Sequence, residues 1–232
     1  MTLALDSFTF SQSSLMDYCD CPRRFKLRYI DKLAWPSNRS SNCEEISMLE
    51  RDGKTFHRAI HQYFLGIPEE EITRVISSSA VLLWWKNFTA HEFPYAEWSK
   101  KPEISLITLI VGYRVLAKYD LLLTRNGKAI IFDWKTTKKN TGRQDLEQRM
   151  QTRVYLPVLL QAGHCFNSGT RYLAEDISME YWFAEFPLET VKICYSNKQY
   201  EDDLRVLEDL IGEITTRQIY PHTGNEKACV LC

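Results

Sequence analysis

The sequence predicts an α/β domain, with a central mixed sheet flanked by helices and preceded by a helical segment. Three observations predict it. Apolar residues recur at helical spacing through most of residues 1–100. Between 103 and 135 that period gives way to three runs rich in β-formers. Beyond 143 a helix, two strands and a last helix follow one another. The 232 residues are 44% apolar, with six Trp, eleven Phe and twelve Tyr, which excludes disorder and suits one well-buried core. The expected organisation is one domain over 1–232. Residues 1–100 are mostly helical, 101–195 hold the sheet and a helix, and 196–232 hold the last helix and a Cys-bearing tail.

Ser11 to Ile30 reads as a helix, with Ser13 or Ser14 as cap and Leu15, Tyr18, Phe25 and Tyr29 near helical spacing. Pro22 should interrupt or kink it. Pro, Ser and Asn mark Trp35 to Asn42 as a loop. Ile46 to Leu65 carries Leu49, Phe56, Ile60 and Phe64 on one stripe, and Gly66-Ile67-Pro68 stops it. Pro68 and three glutamates then start a third helix running to about Phe88. Strands are expected at Glu103 to Val111, Val115 to Thr124 and Ala129 to Lys135. Arg143 to Ala162 is helical, bent by Pro157 and ended by Gly163. Strands follow at Met179 to Phe186 and Thr190 to Tyr195. Leu204, Leu207, Ile211 and Ile214 line a final amphipathic helix.

The most informative stretch is Ala117 to Lys135. Asn126-Gly127 between two apolar runs is a strong signal for a two-residue hairpin turn. A two-residue loop pairs Arg125 with Lys128, and the same register puts Asp120 opposite Asp133. Lys135 shares the face of Asp133, while Trp134 points the other way. Lys118 would pair with Lys135. Opposed carboxylates repel unless something positive lies between them. Oxygen ligands with a lysine alongside suit Mg²⁺ or Mn²⁺ better than zinc. On the second helix, Gly53, His57 and His61 share one face, and imidazole is a good Mn²⁺ ligand beside carboxylates. A helix-interior glycine costs about 1 kcal/mol against alanine, so Gly53 suggests a close approach there. Gln151 and Tyr155 lie four apart on the helix after the hairpin.

Net charge is −1 and the pI near 6.5, so any polyanion must be held by local basic clusters. One cluster is Arg23, Arg24, Lys26, Arg28 and Lys32; the other is Lys135, Lys138, Lys139 and Arg143. No apolar stretch approaches the ~20 residues of a membrane span. Met1 to Asp6 lacks the pattern of a signal peptide. With seven irregularly spaced cysteines, a reducing cytoplasmic setting without disulfides is expected. The cysteines are then core residues or metal ligands.

Gly53-xxx-His57, Glu103, Asp120, Asp133-Trp134-Lys135 and Gln151-xxx-Tyr155, in that order, resemble the RecB-type branch of the PD-(D/E)XK nuclease superfamily. Residues 11–25 (SQSSLMDYCDCPRRF) resemble the "S-x-S-x-L…C-P-R-R-F" opening of such domains. Relatives include the nuclease that assists CRISPR spacer acquisition and the nuclease domains of bacterial recombination helicases. The resemblance spans nearly the whole chain; Ala117 departs from it, standing where a glycine is usual. It implies a restriction-endonuclease-like core. It implies that His57, Asp120 and Asp133 bind Mg²⁺ or Mn²⁺, and that Lys135 stabilises the scissile phosphate or positions the attacking water. Gln151 and Tyr155 would line the DNA side, with Lys138 and Lys139 beside them. Many relatives also hold a 4Fe–4S cluster through one N-terminal cysteine and a C-terminal C-x₂-C-x₅-C. Cys21, Cys229 and Cys232 fit three of those positions, so the set is expected to be incomplete. Cys19 or an exogenous thiol would complete it, or zinc with His222 would replace it.

The expected function is metal-dependent hydrolysis of DNA phosphodiesters in repair, recombination or defence, with a helicase or other repair or defence protein as partner. The alternatives are a non-catalytic DNA-binding or adaptor module of the same fold, and a scaffold organised by its cysteines.

Overall fold

A sheet of six strands divides the molecule. The computed structural model describes residues 7–33, 41–91, 93–137 and 142–224, with backbone alone over 41–47. The long strand β3 (Tyr113–Arg125) is its axis. Along one edge runs β2 (Ser99–Ile110), antiparallel. Along the other, β1 (Thr9–Ser11) pairs in parallel with residues 114–116 and β4 (Lys128–Lys135) pairs antiparallel with residues 121–125. The sheet continues from β4 in parallel to β5 (Ile177–Phe183) and then antiparallel to β6 (Phe186–Cys194). Every residue of β5 is buried, as expected of a strand covered on both faces.

One face carries α1 (Gln12–Asp20), α7 (Met150–Ala162) and α8 (Asn197–Thr216). Leu15, Val154, Val158, Leu207 and Ile211 pack there against Val115, Leu122, Ile131, Met179 and Tyr181. The other face carries α3 (Ser41–Phe64), α4 (Glu69–Val75) and α5 (Ser79–Thr89). Phe56, Ile60, Ile72, Trp84, Trp85 and Phe88 meet Leu121, Leu123, Phe132, Trp134 and Trp182. The Asn126-Gly127 turn has φ +47° and +77°, the left-handed pair a two-residue hairpin loop requires, and the register is the expected one.

Several boundaries differ from expectation for local reasons. Ser11, not Ser13 or Ser14, caps the first helix. Its hydroxyl accepts the Ser14 N–H, Ser14 returns the bond, and Thr9 and Phe10 before it are strand. Pro22 ends α1 at Asp20 and sits in the first turn of α2 (Pro22–Phe25), which runs into a π-helical turn at Lys26–Ile30. The third helix is two, because Ser78 caps α5 through Val81 N–H while its own hydroxyl donates to Asp52. The helix after the hairpin also divides, into α6 (Arg143–Glu147) and α7, with Pro157 inside α7. β2 starts at Ser99, ahead of the expected Glu103, and the β5–β6 turn comes earlier than expected, at 184–185. Among the described residues no helix is long and apolar enough to cross a membrane.

Two irregularities shape the centre of β3. The β2–β3 ladder keeps one register through Pro102–Leu121 and Ile104–Tyr119 but skips Glu103 and Asp120, and Glu103 has φ +53°. Buried faces slip there by one residue. Ala117, Tyr119 and Leu122 all face α7, whereas Leu121 and Leu123 face α3. The β3–β4 ladder stops at Leu121–Phe132, so Asp120 and Asp133 lie just past its end.

Candidate active site

The opening between β3 and β4 is filled by side chains from four elements. From β3, Asp120 Oδ2 accepts the backbone N–H of Trp134 at 3.2 Å. From α3, His57 Nδ1 lies 3.2 Å from the same oxygen. From β4, Asp133 is 2% exposed, and its Oδ2 lies 2.7 Å from Lys135 Nζ. From α7, Gln151 Nε2 donates to Asp133 Oδ1 at 2.5 Å, and Gln151 Oε1 accepts Lys135 Nζ at 2.6 Å. One glutamine thus holds the aspartate and the lysine in a fixed relation.

Burial pushes the Asp133 carboxyl above its ordinary range; the Lys135 ammonium opposes this and Asp120 reinforces it. Burial alone would lower His57. The hydrogen bond and charge of Asp120, with Asp133 behind it, outweigh burial, so His57 ends above its usual value. Asp133 Oδ2 meets the Lys135 ammonium and no second donor, so one of its two lone pairs is left open. Two carboxylates and an imidazole are the donor chemistry that Mg²⁺ or Mn²⁺ takes. Among the described residues, however, no three His, Cys, Asp or Glu side chains are grouped as a metal site requires. Asp120 is turned to His57 and Asp133 to Lys135.

At Gly53 a Cβ would sit 3.4 Å from Thr136 Oγ1, just beyond β4, a contact at the edge of the ordinary range, so the approach there is less close than expected. Lys118 does not join Lys135, because the ladder has ended; it is exposed and bonds Glu103 at 2.5 Å. Tyr155 is buried, its ring edge-on to Tyr119, and its backbone carbonyl accepts the Tyr119 hydroxyl at 3.0 Å. Lys138, Lys139, Cys229 and Cys232 lie outside the described residues.

Three members of the first basic cluster are ion-paired within their own segment: Arg24 bridges Asp17 and Asp20, Arg28 meets Asp17, and Lys26 meets Asp31. A third cluster escaped notice in the sequence. Arg51, Lys54 and Arg58 are exposed at i, i+3 and i+7 on α3, flanking His57, and none is ion-paired among the described residues. Their spacing is the signal that was available. Cys21 is buried where residues 18–25 meet residues 220–223. The Arg23 N–H donates to Pro221 O at 3.1 Å, and the rings of Tyr18 and Phe25 pack on Tyr220. Burial pushes the Cys21 thiol up. The backbone N–H groups of Thr223, Arg24 and Arg23, with the charge of Arg24, outweigh it and leave the thiol below its usual value.

No curated protein matches the chain. Among solved structures, the crystal structure of a "Putative exonuclease" from Eubacterium rectale superposes with a TM-score of 0.60 at 10% identity. It covers 95% of this chain and 86% of that one. At that identity the likeness is one of fold: a restriction-endonuclease-like mixed sheet flanked by helices. The structure of SSO0001 aligns over 91% of this chain and 79% of its own at 17% identity, with a TM-score of 0.38, too low to bear on the fold. The sequence itself matches the family model described as the PD-(D/E)XK nuclease superfamily over residues 9–232, from β1 through the β3–β4 opening to the tail. The chain belongs to the PD-(D/E)XK nuclease superfamily.

Proposed function

We propose that this protein is a RecB-like, Mg²⁺- or Mn²⁺-dependent deoxyribonuclease that hydrolyses phosphodiester bonds. The observation that carries the reading is the arrangement around Asp133: a buried carboxylate with an open lone pair, held to Lys135 by Gln151, beside Asp120 and His57. Asp120, Asp133 and His57 would hold the ion. Such an ion supplies Lewis acidity toward a phosphoryl oxygen and offsets charge that builds there. Lys135 would use its ammonium, held beside the site by Asp133 and Gln151, to hold the scissile phosphate or orient the attacking water. Gln151, bonded to both side chains, would keep Lys135 in place. Tyr155 backs the wall from which Gln151 projects toward DNA.

The cations Arg51, Lys54 and Arg58, with Lys138 and Lys139, supply contacts to the phosphate backbone that the near-neutral whole molecule does not. We take residues 1–232 as one nuclease unit, since both core clusters pack on the same sheet. A reducing cytoplasmic setting goes with this reading, in which Cys19, Cys21, Cys165 and Cys194 are free thiols. Work in DNA repair, recombination or defence, beside a helicase or another such protein, is the corresponding biological role.

Cleavage of end-labelled single- and double-stranded DNA with Mg²⁺, Mn²⁺ or EDTA tests the proposal. Metal-dependent product is expected, and a protein that binds DNA with no cleavage under any metal is instead the adaptor module. As a second reading, we propose that Cys21, buried beside residues 220–223, joins Cys229 and Cys232 in a second, independent metal site. Iron, sulfide and zinc analysis after anaerobic purification tests it: near four irons per chain shows a complete cluster, and no bound metal removes the site.

A further inference from the structure

Lys135 has a third neighbour besides Asp133 and Gln151. Its Nζ lies 5.3 Å from the centre of the Tyr181 ring, over the face. Tyr181 is the parallel-strand partner of Asp133 on β5 and is fully buried. Its hydroxyl points away from the site to Thr152 Oγ1, at 2.7 Å on α7. Thr152 is itself buried and donates to the carbonyl of Leu146. A threonine hydroxyl has one proton. With that proton on Leu146 O, the Tyr181 hydroxyl must be the donor to Thr152. Burial and the charge of Asp133 both push the phenol well above its usual value, in accord with a proton that stays in place.

We propose that Tyr181 is a positioning residue for Lys135: its ring face steadies the ammonium, and its hydroxyl fixes the ring to α7 next to Gln151. The inference rests on the reading of Lys135 as the phosphate- or water-directing group. A lysine side chain is flexible and loses considerable rotamer freedom when held. Asp133 holds the ammonium only while its carboxylate is not otherwise engaged. Gln151 supplies a single neutral acceptor. The aromatic face is a partner that depends on neither, because the ring quadrupole attracts the cation whatever Asp133 is doing. Thr152 follows Gln151 directly in α7, so the Tyr181–Thr152 bond and the Gln151–Lys135 bond set the same strand-to-helix spacing. Tyr181 donates no proton to the reaction.

The test compares steady-state cleavage by wild type, Tyr181→Leu, Tyr181→Phe and Lys135→Ala, each checked by thermal melting and Mn²⁺ titration. Tyr181→Leu is expected to lower kcat roughly tenfold with KM and Mn²⁺ affinity near wild type, the scale of one lost cation–π contact in a desolvated site. Tyr181→Phe keeps the ring and should recover kcat to within about threefold. Phenylalanines carrying one, two and three fluorines at position 181 keep the shape while weakening the ring quadrupole. They should lower kcat stepwise, a response that packing alone does not produce. A flat fluorine series, or full kcat in Tyr181→Leu, overturns the inference. The fluorine series decides the matter if Tyr181→Leu does not fold. Full cleavage by Lys135→Ala would instead overturn the proposed function.

Discussion

Asp120 and Trp134 are joined by a hydrogen bond in the gap where the β3–β4 ladder has already ended. The carboxylate does the work of the missing strand carbonyl, so a site residue also satisfies the backbone of the strand that carries its neighbours. Asp120→Ala leaves the Trp134 N–H without its acceptor and should cost about 1–3 kcal/mol in denaturant unfolding. Asp120→Asn retains an acceptor oxygen and should fold nearly as wild type while losing Mn²⁺ affinity. Equal stability of the two variants would show the bond to be dispensable.

Asp133→Ala and Lys135→Ala should both reduce cleavage at least about a hundredfold, for different reasons. The first removes a metal ligand, so Mn²⁺ bound in equilibrium dialysis should fall. The second leaves both carboxylates, so Mn²⁺ should still bind. Undiminished cleavage in both variants would move the chemistry elsewhere.

His57→Ala should weaken Mn²⁺ roughly tenfold or more without changing the melting curve much, since the imidazole is partly exposed and touches Asp120 rather than the core. An unchanged metal titration returns His57 to the role of a histidine bonded to an aspartate.

Arg51, Lys54 and Arg58 predict a salt effect. Neutralising all three to Gln should make the slope of log K against log salt for duplex DNA shallower by roughly 2–3. Hydrolysis of a small nitrophenyl phosphodiester, which spans no backbone, should hardly change. An unaltered slope would leave the ridge as a solvated face.

Asp203 predicts a pH effect on stability. It is buried on α8; burial raises its carboxyl to about 6, against the opposing pull of Arg153 and the Tyr195 hydroxyl. The folded state therefore holds the proton more tightly than the unfolded chain, and stability falls as pH rises from about 4 to 6 and then levels. The loss is up to about 3 kcal/mol at 1.36 kcal/mol per unit. Asp203→Asn keeps an acceptor for Tyr195 and should gain stability over wild type at pH 7.5 but little at pH 4.5. Equal gains at both values would sink the assignment.

The hairpin was legible because a two-residue turn fixes register by itself; that register brought Asp120 and Asp133 to the same opening, but the ladder ends before pairing them, so Asp120 meets His57 and Asp133 meets Lys135. Gly53 and His57 were legible through helical spacing. The breaks at Ile76–Ser78 and Gln148–Arg149 were not, since the apolar period carries across them and the Ser78 cap acquires its meaning from Asp52, far off in sequence. β1 is three residues long, too short for any period, and exists because β3 offers it an edge. The slip at Glu103–Asp120 left no mark in composition. The roles of Gln151 and Tyr181 depend on distances between α7, β4 and β5 that no local pattern encodes.

The seam between the Cys21 region and residues 220–223 bears on how the chain acquires its structure. Tyr18 bonds Glu213 across 195 residues of sequence, and Arg23 reaches Pro221 nearby. Closing so long a loop early would cost much entropy for few contacts. During synthesis the bonds from Tyr18 and Arg23 to Glu213 and Pro221 must therefore form after the other neighbours of α1 and α2 are in place. Contacts made that late resist unfolding more than they hasten folding, so trimming residues after α8 should shorten the life of the native state while barely slowing its formation.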